Sequence, residues 1–326
     1  MTLSFGDIRG LREIWAGRTR RAPYEPRPDP FERMVFGLLG LGLEQALQYL
    51  GQNTPTFEDF EAWAIATAGP PEAEAIARYH AALDGQPPPP AVQARLDAIE
   101  SAAPVLDEGD LRQWEAEGYL ILRNAVTHDQ ARAAETLLWR VTGADPADPA
   151  TWRPRGAQGI MVQHFQDPAL DAARRSPRVH KAFAQLWGTA DLWPTIDRLS
   201  FNPPEAVGIP FQGPRLHWDV SLVLPIPFAT QGILYLTDTA ADQGALELVP
   251  GFHHRLERWL ADLGEADPRE VDLAPQAVTI PGETGDLVIW RQDLPHGASP
   301  NRASRPRLAQ YVNFYSASLK SNPVWR

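Results

Sequence analysis

His217 and Asp219 stand two positions apart in Leu216-His217-Trp218-Asp219, inside a run that reads as a β-strand. Alternate side chains of a strand share a face, so this spacing turns an imidazole and a carboxylate to one side and leaves Trp218 to pack behind. A second histidine, His296, follows another strand-like run at residues 286–290, so folding can carry it to the same spot. Two imidazoles and one carboxylate are the donor set of a facial non-haem iron site with open positions. A His-x-Asp pair alone is weak evidence, because eight histidines among many acidic residues produce it by chance. Its plainer reading is a polar pair on a strand.

After Pro295-His296-Gly297 come Asn301, Ser304, Arg305 and Arg307, and Arg307 opens a strand that can run back through the same cavity. A buried guanidinium requires an anionic partner, and its planar fork matches a carboxylate with two parallel hydrogen bonds. Arg307 is therefore placed to hold the far end of a dicarboxylate whose near end chelates the metal; in the plainer reading it closes a salt bridge. His253 and His254 are rival ligands, but neighbours on an extended chain face opposite ways, so at most one could join the cluster. His80, His128, His164 and His180 fall in predicted helices or loops and read as satisfied or solvated.

Positioning these groups takes a β-rich scaffold. Beyond residue 190, short apolar runs at 192–201, 216–224, 232–237, 246–249, 286–290 and 307–315 are separated by turns rich in Pro, Gly and Asp. That pattern predicts an antiparallel sandwich or barrel rather than a doubly wound sheet. Upstream the pattern is helical. Residues 31–50 carry apolar side chains at helical spacing with Gly51 as a stop, a second helix is predicted from Thr56 with Asp59 in a capping box, and a third over 71–84 before Gly85. The prolines at 87–90 favour an extended chain and place a boundary at residues 86–105. A short helix ending at Gly118, a strand over 119–123 and a helix capped by Thr127 with Gln130 follow. The expected division is a helical N-terminal region, residues 1–105, and a β domain, residues 106–326.

At 326 residues, 44% hydrophobic and 22% charged, the composition is that of a soluble globular protein. A formal charge of −11 disfavours a nucleic-acid partner but leaves room for a small anionic ligand in a local basic pocket. Cysteine is absent, which removes disulfides, thiolate zinc sites and cysteine nucleophiles, so any metal must take His, carboxylate and water. The apolar run at 34–43 is interrupted by glycines and closed by Glu44, too short to cross a bilayer, so no membrane partner is expected. The opening residues lack the features of a secretory signal, which makes a cytoplasmic location the expectation.

The ordered set His217-x-Asp219, Gly244-Ala245-Leu246 to Pro250-Gly251, Gly285-Asp286-Leu287, then His296-Gly297 with Asn301 and Arg307 resembles the phytanoyl-CoA dioxygenase family. The resemblance covers residues 110–316; residues 1–105 carry none. It implies a double-stranded β-helix, a cupin-like jelly roll, in which His217, Asp219 and His296 bind Fe(II) and Arg307 anchors the distal carboxylate of 2-oxoglutarate. Gln163, in Val162-Gln163-His164-Phe165, and Gln231 are similar in position to residues that line the cosubstrate pocket. Two departures stand out. The family often has a serine two residues after the distal histidine, where this chain has Ala298 with Ser299 beside it. A tryptophan sometimes found on the strand after the metal motif is missing, with Ile233 or Tyr235 in that neighbourhood.

The resemblance implies a dioxygenase that hydroxylates a small organic molecule with O2 while 2-oxoglutarate becomes succinate and CO2, by hydrogen abstraction and return of hydroxyl. Asp219 favours hydroxylation over halogenation, since related halogenases replace the metal carboxylate with a small residue. Two other classes stay open: a catalytically silent jelly roll that binds a small molecule, and a metal hydrolase needing neither oxygen nor 2-oxoglutarate. For the N-terminal helices the sequence leaves three roles: a cover over the barrel mouth, the contact of a homodimer, or a dock for a carrier-bound substrate.

Overall fold

Leucines and aromatic residues at helical spacing draw the N-terminal stretch into α1 (Leu11–Arg18), α2 (Phe31–Leu38), α3 (Leu43–Asn53), α4 (Phe57–Ala68), α5 (Ala73–Leu83) and α6 (Pro90–Ser101). The structure, a computed structural model, describes residues 5–27, 30–153, 159–206, 211 and 213–326. Ile14, Phe36, Leu50, Phe60 and Tyr79 share one buried cluster, which Trp193 and Tyr315 join from later in the chain. The single helix expected over 31–50 is two helices. Gly40 is left-handed at φ +71°, and Gly42 is extended with a Cβ position only 2.6 Å from the Phe165 ring, so that close approach requires glycine and breaks the helix. α3 then runs through Gly51, the expected stop, to Asn53. Thr56 caps α4 as expected, accepting from the Asp59 N–H at 3.1 Å.

Residues 86–105 contain a helix where an extended connection is expected. Pro90 occupies the first turn of α6, where its missing N–H has no intrahelical partner to lose. Val92 and Leu96 of α6 pack on Ala184 and Ala190. Downstream come α7 (Glu108–Glu117), ended by left-handed Gly118, then β1 (Tyr119–Leu122) and α8 (His128–Thr142), whose Thr127/Gln130 capping box has both hydrogen bonds. Beyond α1 and α6, three further helices were not expected: α9 (Pro168–Arg174), α10 (Pro177–Trp187) and α11 (Leu256–Leu263). Asp167-Pro168 and Ser176-Pro177 are the legible signals for the first two, a capping side chain followed by proline in the first turn.

The remaining strands are β2 (Met161–Val162), β3 (Leu192–Pro194), β4 (Leu199–Asn202), β5 (Thr230–Tyr235), β6 (Leu246–Leu248), β7 (Val278–Ile280), β8 (Leu287–Arg291), β9 (His296–Ala298), β10 (Arg307–Tyr311) and β11 (Phe314–Ser316). Among the described residues they form antiparallel sheets of order β1-β8-β5-β10-β4-β2, β7-β6-β9 and β11-β3. The period of two sorts the large sheet. Ile233, Tyr235, Val288, Trp290 and Ala309 share a cluster with Leu246, Leu248 and Ile280 of the small sheet, while Leu234, Leu287, Ile289 and Leu308 pack with Leu137, Leu138 and Phe183 of α8 and α10. Tyr235 ties the two sheets together: its hydroxyl donates to Ile280 O at 2.7 Å and accepts from Leu246 N at 3.0 Å. The architecture is the expected jelly roll, a β core with flanking helices and a helical N-terminal region.

One expected strand, 216–224, is not a strand. It is reduced to a single bridge, His217 to His296, because its later backbone groups are used elsewhere. The Arg269 guanidinium takes the carbonyls of Trp218 and Val220, each at 2.8 Å, and Leu222 N donates to Arg326 O. The runs at 192–201 and 307–315 each split in two, so that the chain passes from the large sheet to the β11-β3 pair. Thr127→Ala removes the cap of α8 and should lower stability by about 1 kcal/mol, about 2 °C in melting temperature, measured by calorimetry against wild type.

Candidate active site

His217 and His296 exchange both backbone hydrogen bonds, His217 N to His296 O at 2.9 Å and His296 N to His217 O at 3.0 Å. This narrow bridge sets their rings side by side, with centroids 4.7 Å apart. Asp219 enters from two residues further on: its Oδ1 lies 3.3 Å from His217 Nε2 and its Oδ2 lies 3.3 Å from His296 Nε2. One donor atom from each of the three falls within 4.8 Å of the others. Trp218 points the other way, as expected, and is buried against Phe252 and Trp259 with its indole N–H on Asp293 O.

The second ring nitrogens fix the tautomers. His217 Nδ1 is 2.7 Å from Arg215 O, and His296 Nδ1 is 3.1 Å from Leu294 O. A carbonyl can only accept, so each neutral ring carries its proton on Nδ1 and turns the Nε2 lone pair toward the cluster, the orientation a metal requires. Without a metal, Nε2 takes up a proton and donates to Asp219: burial by itself would push the Asp219 carboxyl up, and hydrogen bonds from the protonated His217 and His296 rings outweigh it and hold Asp219 well below the usual carboxylate range. Burial pulls the His217 imidazole down, and the hydrogen bond to Asp219 overrides this and raises it. The cluster therefore attracts positive charge, which protons and a divalent cation compete to supply. These residues fit Fe(II) in donor type, number and orientation.

Arg307 forms the floor of the same cavity. It is 1% exposed, its Nε donates to Gly244 O at 3.0 Å, and its Nη1 has no hydrogen-bond partner. Among the described residues no carboxylate lies within ion-pair distance of the guanidinium, and a buried guanidinium needs an anion. The cavity has a volume of about 660 Å³ and is lined by His217, Asp219, His296 and Arg307 together.

A family model for phytanoyl-CoA dioxygenase (PhyH) matches residues 114–309. The chain belongs to the phytanoyl-CoA dioxygenase family. It is a 2-oxoglutarate-dependent non-haem iron dioxygenase, with Fe(II) and 2-oxoglutarate as cofactor and cosubstrate. A putative phytanoyl-CoA dioxygenase of Dictyostelium discoideum is 20% identical over 63% of this chain and 74% of its own length. An ectoine dioxygenase of Bordetella parapertussis is 24% identical over 72% of this chain and 84% of its own. Among solved structures, EvdO2 from Micromonospora carbonacea in complex with 2-oxoglutarate is similar over 68% of this chain and 97% of that one, at 18% identity and a TM-score of 0.48. No helix of the described residues is long and apolar enough to cross a membrane.

The family motifs away from the cluster hold it in place. Gly244 is left-handed at φ +67°, and the turn it makes delivers the carbonyl that Arg307 grips. Asn301 donates to Asn202 O and Arg305 O, and Ser299 donates to Ala245 O, so both serve the scaffold. His253 and His254 are not in the cluster; both rings lean on Glu115 O at the end of α7. Gln163 is exposed and does not line the cavity, whereas Gln231 does. Its amide sits between Asp219 and Trp290, a contact that the sequence reading missed. Also missed was the share of the N-terminal region in the cavity: Arg27, Glu32, Arg33, Leu43 and Glu44 line it. Residues of the N-terminal region thus form part of the cavity wall.

Gly297 shows how tight the bridge is. A Cβ there would lie 2.8 Å from Arg215 C and O and 2.9 Å from Pro214 O, against the backbone that leads into His217. Gly297→Ala should push the two histidines apart and weaken binding of Co(II), an air-stable stand-in for Fe(II), by about tenfold in calorimetric titration. Unchanged affinity would show that the bridge does not set the ligand geometry.

Proposed function

We propose that this enzyme hydroxylates a small organic molecule, consuming O2 and converting 2-oxoglutarate to succinate and CO2. His217, Asp219 and His296 hold Fe(II) as a facial triad, and Arg307 pairs with the distal carboxylate of 2-oxoglutarate. The observation that carries this reading is the unpaired, buried Arg307 in the chamber that also contains the three ligands. A dicarboxylate satisfies both ends of that chamber at once, with one end at the metal and the other on the guanidinium fork.

Bound by the triad, Fe(II) supplies the electron-transfer chemistry that activates O2 as 2-oxoglutarate is decarboxylated. The protein's own contribution is positional. The Nδ1–H bonds to Arg215 O and Leu294 O keep the imidazole lone pairs aimed inward, Asp219 stays ionised, and Arg307 fixes the cosubstrate at the buried end of the chamber. Because a carboxylate stands at position 219, no small residue opens room for a halide, which supports hydroxylation over halogenation. Arg27, Glu32, Arg33 and Glu44 bring charges of both signs to the wall, which suits a polar substrate more than a plain hydrocarbon. The ectoine of the Bordetella relative's name belongs in the first set of compounds to test.

Candidate compounds are incubated with the enzyme, Fe(II), ascorbate and 2-oxoglutarate, with succinate release and product mass as readouts. A substrate should gain one oxygen atom, with succinate formed in equal amount. His217→Ala should abolish both. Arg307→Leu should raise the half-saturating 2-oxoglutarate concentration by about 10- to 100-fold, the loss expected for hydrogen bonds to a charged group. Succinate formation that survives His217→Ala, or a 2-oxoglutarate dependence untouched by Arg307→Leu, would overturn the assignment.

A further inference from the structure

Gln231 lies directly opposite Trp290 in the β5–β8 ladder, so their side chains leave the sheet next to each other on the cavity face. An indole N–H can only donate, and Trp290 Nε1 sits 3.0 Å from Gln231 Oε1, which settles which way the amide is turned. With its oxygen committed to the indole, the amide offers only N–H on its other side. There, Nε2 donates to Asp219 Oδ2 at 2.6 Å. The indole also packs against the ring of His296, with centroids 5.2 Å apart.

We propose that Gln231 is a positioning residue for Asp219, keyed by Trp290, and not a contact to the cosubstrate. This inference rests on reading the triad as the metal centre. Asp219 needs such a holder: it lies beyond the one-residue bridge, in backbone with no strand pairing of its own, and its side chain is 56% exposed. A carboxylate so placed must lose rotational freedom when it binds a metal, and an amide that orders it beforehand removes that cost. The donor is neutral, which matters. A lysine or arginine at position 231 would neutralise the carboxylate and compete with the cation, whereas an amide orients it and leaves its full charge for the metal. Trp290 thereby reaches two of the three ligands, His296 by ring contact and Asp219 through the amide.

The test uses the metal-free 326-residue protein titrated with Co(II), following the visible ligand-field band, for wild type, His217→Ala, Gln231→Leu, Trp290→Phe and the double variant Gln231→Leu/Trp290→Phe. Gln231→Leu should bind Co(II) about 10- to 100-fold more weakly with an altered band, while its half-saturating 2-oxoglutarate concentration at saturating Fe(II) stays that of wild type. Trp290→Phe keeps a ring against His296 but loses the N–H, and should weaken binding by about 3- to 10-fold. The double variant should be no weaker than Gln231→Leu alone, because the indole acts through the amide. Circular dichroism and melting of the metal-free proteins show whether each variant is folded; should Gln231→Leu not fold, Trp290→Phe decides, and wild-type Co(II) affinity in it overturns the proposal. A Gln231→Leu variant with wild-type Co(II) affinity and band but a raised 2-oxoglutarate requirement makes Gln231 a cosubstrate contact and overturns it too. Losses that add in the double variant overturn the keying by Trp290. Failure of the metal-centre reading looks different: wild type and His217→Ala would then bind Co(II) equally.

Discussion

Two backbone hydrogen bonds between His217 and His296 decide where the reactive groups meet. Together with Ala298 N donating to Pro214 O, they are what fixes the irregular segment after residue 213 against β9, since Arg269 and Arg326 occupy the backbone groups further along. With them, the small sheet extends by one residue across β9, and Asp219 arrives two positions later at the height of both imidazoles. The contact leaves no space for a side chain at position 297, so the glycine that follows the distal histidine is part of the ligand geometry.

The remaining family motifs answer the same need for placement. Left-handed Gly244 presents a carbonyl to Arg307, and Gly285, at φ +90°, lets the chain turn beneath Val126 and lead Asp286 into β8. Asp286 is then held by Arg123 and by the backbone N–H groups of Asn124 and Glu283. None of these residues belongs to the His217–Asp219–His296 cluster, yet each holds a turn or strand that leads to it. Buried Arg307 is costly to leave without an anion, and the fold sets it in the wall of the same chamber as the His217–Asp219–His296 cluster.

Much of this was legible in the residues. Short apolar runs between turn residues, at 232–237 and 286–290, revealed strands because a sheet packed on both faces buries every side chain, and Thr56, Thr127 and Gly118 marked helix ends because capping chemistry is local. His217, Asp219 and His296 were brought together as expected. The failures have a common cause, which is tertiary packing that no window of sequence contains. The break at Gly40 to Gly42 depends on Phe165, more than a hundred residues away. The loss of the strand at 216–224 depends on Arg269 and Arg326. The amide of Gln231 could not be paired with Trp290 until the register of β5 and β8 was known. Gln163 illustrates the opposite error, a position that fits by order along the chain but lies exposed on the outside.

The wall supplied by Arg27, Glu32, Arg33, Leu43 and Glu44 lies outside the stretch from 114 to 309 that matches the family. Part of the chamber's wall is consequently encoded apart from its reactive positions, which lie inside that stretch. Drift or selection can remodel the first without disturbing the second, so relatives that agree at every reactive position need not share a single compound on which they act.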